Sequence, residues 1–164
     1  MKCYLLTLII AFFYSAISQA QLQHKQNSLS IELGRSGLIY NLLFDHQFAP
    51  RHFGVQVMAG SNFAKYLRAA QAGGGAYYLI GKQKHYLELG AIISYLWIEE
   101  DSDDQRGFAF VYPDHQVQSI YPAMNIGYRF YKKNRLFRIG LSPGFIKSEF
   151  VPGGYISYGL SFNN

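Results

Sequence analysis

Five carboxylates fall within six residues of this chain: Glu99, Glu100, Asp101, Asp103 and Asp104. Oxygen donors at that density are the ligand type that suits Ca²⁺. The spacing matches no EF-hand loop, however, and Gln105 follows where a glycine turn would be needed. The run is therefore read as a solvated outer loop, with no metal site and no cofactor expected. Further along, Asp114, His115 and Ser119 are residue types that a hydrolase would use. A serine nucleophile needs its histidine base within hydrogen-bond reach, yet residues four apart on one extended strand are separated by roughly 13 Å. No catalytic residue is assigned. His24, His46, His52 and His85 stand singly at ends or turns and are read as surface positions.

A second set of charges is more demanding. In GYRFYKKNRLFRIG, residues 127–140, Arg129 and Arg138 lie almost symmetrically about a basic turn, within segments otherwise built from Tyr, Phe, Leu and Ile. Pairing outward from the turn sets Phe130 against Phe137 on one face and Arg129 against Arg138 on the other. Two like charges directly opposite need partners. The carboxylates of matching parity are Glu88, Glu32 and Asp45, so an ion-pair network of Arg129, Arg138, Glu88, Glu32 and Asp45 is predicted on one shared face.

The elements that must position these residues are strands. After the first twenty residues helical periodicity is absent, and alternation by two recurs about every 10 to 18 residues. Eight segments carry it: SLSIELGR, LIYNLLFDHQF, FGVQVMAG, AAQAGGGAYYLIG, HYLELGAIISYLWI, SIYPAMNIGYRFY, LFRIGLSPGFI and GYISYGLSF. One face is bulky and apolar, as with Leu29, Ile31 and Leu33 or Ile156, Tyr158, Leu160 and Phe162. The other collects the glycines and charges. In a soluble barrel that opens to a ligand the interior would be apolar and the exterior rich in Lys, Glu and Thr; here the polar face is the cramped one, which fits the lumen of eight strands filled by side chains.

Composition points the same way. Aromatic residues make up 17% of the chain and charged residues only 15%, against about 25% charged in soluble domains. No later segment is long and apolar enough for a membrane helix, which leaves a closed β-barrel as the way to span a bilayer. An arginine on the lipid face at mid-depth would cost about 2–4 kcal/mol, which directs Arg129 and Arg138 into the lumen. The first twenty residues have one cation, Lys2, then an apolar run, then Ser18-Gln19-Ala20: a secretory signal peptide, residues 1–20, with cleavage before Gln21. Its removal takes Cys3, the only cysteine, leaves residues 21–164 as one barrel domain, and lowers the net charge from +5 to +4. That modest excess implies no nucleic-acid partner.

Connections alternate in kind. The links APRH, GKQKH and YKKNR are short and basic, as periplasmic turns are, whereas RSG, GSNFAKYLR, the stretch from Glu99 to Gln118, and KSEFVPGG face the other way. The mature chain resembles the small eight-stranded outer-membrane barrels of Gram-negative bacteria, the family of OmpX, the OmpA transmembrane domain and the opacity-type proteins. The resemblance rests on the signal, the alternation, the basic turns, the Glu/Arg set and the terminal strand YISYGLSF. It implies that Tyr158, Leu160 and Phe162 form the signal read by the barrel assembly machinery, although Asn163 and Asn164 follow where the family usually ends on the aromatic. It further implies an integral outer-membrane protein in contact with membrane lipid and lipopolysaccharide, non-enzymatic, with a structural or surface-interaction role. A protein partner would dock through the outer loops or the lipid face, in the manner of an accessory subunit. A lipid A modifying enzyme and a narrow solute channel are the alternatives; the known lipid A deacylase pattern, with His and Ser two apart, is not matched.

Overall fold

The computed structural model describes residues 26–35, 40–48, 52–62, 67–100, 116–146 and 149–162, with backbone alone at 67, 68, 99, 100, 116 and 117. The expected signal segment lies outside these, as do Asp101, Asp103, Asp104, Asp114 and His115. The strand segments are β1 (Asn27–Gly34), β2 (Tyr40–Gln47), β3 (Phe53–Ser61), β4 (Leu67–Lys82), β5 (His85–Glu100), β6 (Gln116–Lys132), β7 (Arg135–Leu141), β8 (Gly144–Ile146), β9 (Glu149–Val151) and β10 (Gly154–Phe162). Consecutive segments pair antiparallel from β1 to β7, β8 pairs with β6 and β9, and β10 pairs with β7 and with β1.

The register shows that β7 and β8 are halves of one barrel strand. Leu141 faces Ile126 and Gly144 faces Ala123 without a slip between them. In the same way β9 and β10 form the eighth strand, with Val151 opposite Gly144 and Gly154 opposite Leu141. The result is a closed, eight-stranded, up-and-down barrel. Closure of such a sheet requires tilted strands and a fixed stagger. Paired residues carry a path from Gln26 through Gln47, Gly54, Tyr77, Gly90 and Asn125, then across Ser142 and Gly153. Gly154 is bonded by the Arg35 amide, so the path re-enters the first strand just past Arg35, about ten residues above its start.

Alternation decides which side chains face in. Ile31 is 62% exposed and Leu141 63%, while Arg129 and Arg138 are 0% exposed. This is a soluble protein turned inside out: the outer wall is a continuous apolar surface, far larger than a water-soluble monomer presents, and of the kind a bilayer covers. Backbone groups of such a wall need partners within the sheet, and the closed ladder supplies them along most of its length.

The lumen is less uniformly polar than its sequence suggests. At the end carrying the long connections, Ala69, Leu96, Ile98, Tyr121, Ala123, Ile146 and Val151 cluster inside. At the short-turn end Tyr77, Leu79, Tyr86, Tyr131 and Leu136 do the same. Apolar caps thus bracket a middle in which the polar groups share the lumen with a smaller apolar cluster, Leu43, Met58 and Ile92. Strand ends also differ from expectation. Glu99 and Glu100 belong to β5, where their backbones pair with Arg68 and Leu67, so the strand outlasts the loop predicted to begin at Glu99. Phe150 and Gly154 likewise stand in β9 and β10 rather than in a loop.

One seam of the wall is incomplete. Met124 donates its amide to the carbonyl of Pro143 at 2.9 Å, but residue 143, a proline, has no N–H to return. On the other side of the Ala123–Gly144 pair stands Pro122, which also lacks a donor. Pro143 in turn faces Pro152 where both strands are interrupted.

Candidate functional site: a charge-balanced luminal network

The site is built by register. Arg129 and Arg138 are direct cross-strand partners on β6 and β7, and Glu88 on β5 faces Gly127, one inward step from Arg129. Both guanidinium groups therefore converge on one carboxylate. Glu88 Oε2 accepts from Arg129 Nε at 2.7 Å and from Arg138 Nε at 3.2 Å, and Oε1 accepts from Arg138 Nη2 and from Asn125 Nδ2.

Arg129 reaches further toward the short-turn end. Its Nη1 donates to Asp45 at 3.1 Å, to Tyr131 Oη at 3.0 Å and to Tyr77 Oη at 3.3 Å. Asp45 also accepts from Tyr77 Oη at 2.7 Å and from Ser28 Oγ. Arg138 Nη2 adds a bond to Gln56 at 3.1 Å.

Glu32 does not join this group directly. Its partner is Arg35, which donates Nε to Oε1 and Nη2 to Oε2 at 2.8 Å, the two-pronged geometry that favours arginine with carboxylate. Arg35 was expected in an outer turn, RSG. Instead it is 1% exposed, because Gly34 and Arg35 adopt positive φ, 90° and 52°, which breaks the strand alternation and turns the side chain inward. Asn125 links the two groups: it accepts from Arg35 Nη1 at 3.0 Å and donates to Glu88. Ser142 Oγ accepts from the same Arg35 nitrogen at 3.4 Å. One hydrogen-bonded chain thus runs from Ser28 to Ser142 through the barrel.

Aromatic rings fill what the ions leave. Arg129 lies over Tyr77 with 4.2 Å from Cζ to the ring centroid; Arg35 and Arg138 lie over Tyr155 at 4.3 and 5.4 Å. Two glycines make room for these rings. A Cβ at Gly54 would strike the Tyr77 ring, and one at Gly127 would strike the Tyr155 hydroxyl.

Glu32, Asp45 and Glu88 are matched by Arg35, Arg129 and Arg138, all buried. Charges that cannot reach water must be paired and hydrogen-bonded, and here the sum is zero. Among the described residues no group of three His, Cys, Asp or Glu is arranged to hold a metal ion. Ser119 is on β6 with its hydroxyl donating to the Ile120 carbonyl; its proposed companions Asp114 and His115 lie outside the described residues. Tyr158, Leu160 and Phe162 stand on the outer face of the last strand. Sequence reasoning missed Arg35, Asn125, Gln56 and the three tyrosines as members of the network.

No protein-family model matches this chain, and no curated protein matches it in sequence. Among solved structures it is similar to the N-terminal β-barrel domain of Pseudomonas aeruginosa OprF, with a TM-score of 0.64 and 12% sequence identity over 84% of this chain and 96% of that one. Weaker superpositions relate it to Neisserial surface protein A (TM-score 0.49, 15% identity, 85% of this chain and 95% of that one). The Yersinia pestis outer membrane protein Ail superposes at TM-score 0.48 and 14% identity, over 85% of this chain and 100% of that one. Identity this low speaks to fold, not to activity. With its closed eight-stranded register, apolar outer wall and packed ionic lumen, the chain has the fold of the small eight-stranded outer-membrane β-barrels.

Proposed function

We propose that this protein is an integral outer-membrane barrel without enzymatic activity, whose lumen is plugged and whose role is structural or surface-interacting. The observation that carries the reading is the neutral, buried network of Glu32, Asp45, Glu88, Arg35, Arg129 and Arg138 between two apolar caps. An interior occupied in this way leaves no path for a solute. Interaction then falls to the outside: Glu99 and Glu100 at the end of β5, the segment that follows with Asp101, Asp103 and Asp104, and the lipid-facing wall. Contact with lipopolysaccharide at the outer rim, and recognition of Tyr158, Leu160 and Phe162 by the barrel assembly machinery, belong to the same proposal.

The test is extraction from native outer membranes in mild detergent, followed by native gel and mass spectrometry, for the natural chain and for one with residues 101–113 replaced by a short Gly/Ser link. A partner that co-purifies with the natural chain and is lost on shortening supports the interaction role. Recovery only in the inner membrane or the soluble fraction would defeat the localisation on which the whole reading stands.

A further inference from the structure

The short-turn end of the barrel carries an unusual arrangement of cations. At the base of the β4–β5 hairpin Lys82 pairs across the ladder with His85; at the base of the β6–β7 hairpin Lys132 pairs with Arg135. All four are exposed, and by alternation all four lie on the outward face, in line with Ile80, Leu87, Phe130 and Phe137. Lys84 and Lys133 occupy the turns between them. The two hairpins are neighbours: the Tyr131 amide donates to the Lys84 carbonyl at 2.9 Å, which joins their cations into one patch.

Lys132 and Arg135 are like charges directly opposite, which destabilises a strand pair; an isolated hairpin would be better closed by opposite charges. No carboxylate of the described residues offers relief. Glu32, Asp45 and Glu88 are buried with their arginines, while Glu99 and Glu100 close β5 at the far end and Glu149 is on β9. The chain segments adjoining this end, 21–25, 49–51 and 163–164, contain no Asp or Glu either. Among the described residues and these segments the patch meets no carboxylate side chain.

What lies next to the patch defines the counter-ion that suits it. Immediately beside it is the apolar wall, with Ile80 and Leu87 exposed. His85 hydrogen-bonds Tyr128 Oη and packs 5.0 Å from the Phe130 ring, an aromatic girdle of the sort found where a barrel meets lipid headgroups. We infer that Lys82, Lys132 and Arg135, with Lys84 and Lys133 behind them, bind the phosphate of an anionic phospholipid in the leaflet facing the short turns, while its acyl chains lie along Ile80, Leu87 and Tyr128. Attraction of this kind acts at the surface and is weakened by salt. The inference rests on the barrel being membrane-embedded.

The experiment reconstitutes the protein into vesicles of phosphatidylcholine alone and of phosphatidylcholine mixed with phosphatidylglycerol, then measures lipid retained through detergent extraction by native mass spectrometry. The triple variant Lys82→Gln/Lys132→Gln/Arg135→Gln is compared with the natural chain and with Lys147→Gln, a charge removed between β8 and β9. The natural chain and Lys147→Gln should retain phosphatidylglycerol several-fold over phosphatidylcholine at low salt, and the triple variant should lose that preference while keeping the gel shift of a folded barrel. Equal retention of both lipids by the natural chain, or an undiminished preference in the triple variant, would overturn the inference. Complete displacement of the lipid by inorganic phosphate would overturn it too, marking a site for free anions. Failure to insert into either vesicle would instead bring down the membrane reading beneath it.

Discussion

Arg129 and Arg138 face each other directly across the sixth and seventh barrel strands, and both donate to the single carboxylate of Glu88. A like-charge cross-strand pair in a barrel wall is tolerable only because a third strand delivers the opposite charge between them. Removing that charge should therefore be severe. Glu88→Gln leaves Arg129 with Asp45 as its remaining carboxylate and Arg138 with only neutral Gln56, and breaking a buried pair costs about 3–5 kcal/mol. The folded barrel should lose heat resistance in gel shift by a corresponding margin. Arg138→Glu, which sets a second carboxylate against Glu88, should do the same; unchanged heat resistance in either variant would contradict the shared-counter-ion account.

The Glu32–Arg35 pair predicts a coupling. Arg35→Ala abandons a buried carboxylate, and Glu32→Gln abandons a buried guanidinium, but the double variant abandons neither. Its loss of stability should fall short of the sum of the single losses by about 0.5–3 kcal/mol, read from denaturant unfolding of the barrel. Additive losses would mean that the pair contributes nothing beyond packing on Tyr155.

Much of this was legible in the sequence, for a physical reason. A barrel strand has one face in lipid and one in a narrow lumen, so a period of two assigns every side chain once the parity is known. Glu88, Asp45, Glu32, Arg129 and Arg138 all carried that parity openly. Arg35 did not: by strict alternation from Leu33 it would point outward, and only the two left-handed residues at Gly34 and Arg35 turn it in. The apolar caps were hidden differently. In HYLELGAIISYLWI the parity of Glu88 and Ser94 already turns Leu96 and Ile98 inward, but alternation says nothing of their packing into an apolar cap with residues of other strands. Strand ends were underestimated because charged residues such as Glu99 and Glu100 read as loop, although the β5 ladder continues to Glu100.

The proline seam predicts a weak stretch of wall. Replacing Pro143 by Ala restores an N–H opposite Met124, and one added intramolecular hydrogen bond contributes about 1 kcal/mol. Pro143→Ala should raise heat resistance and slow amide exchange at Met124. Faster exchange would show that the proline relieves a distortion the added N–H does not cure.

Both two-residue hairpins open on a non-glycine residue at positive φ: Gln83 at 61° and Lys133 at 55°. That conformation costs a residue with a Cβ on the order of 1 kcal/mol or more. Gln83→Gly should accordingly stabilise the barrel by about 1 kcal/mol in denaturant unfolding, with its fold unchanged. A loss of similar size would indicate that the glutamine side chain makes compensating contacts at the turn.

The claim that the lumen is plugged by a neutral ionic network is tested most directly by electrical recording from the purified, folded natural chain in planar lipid bilayers. The network and its two apolar caps predict insertion without steady ionic conductance. A stable open current from the correctly folded barrel would contradict it.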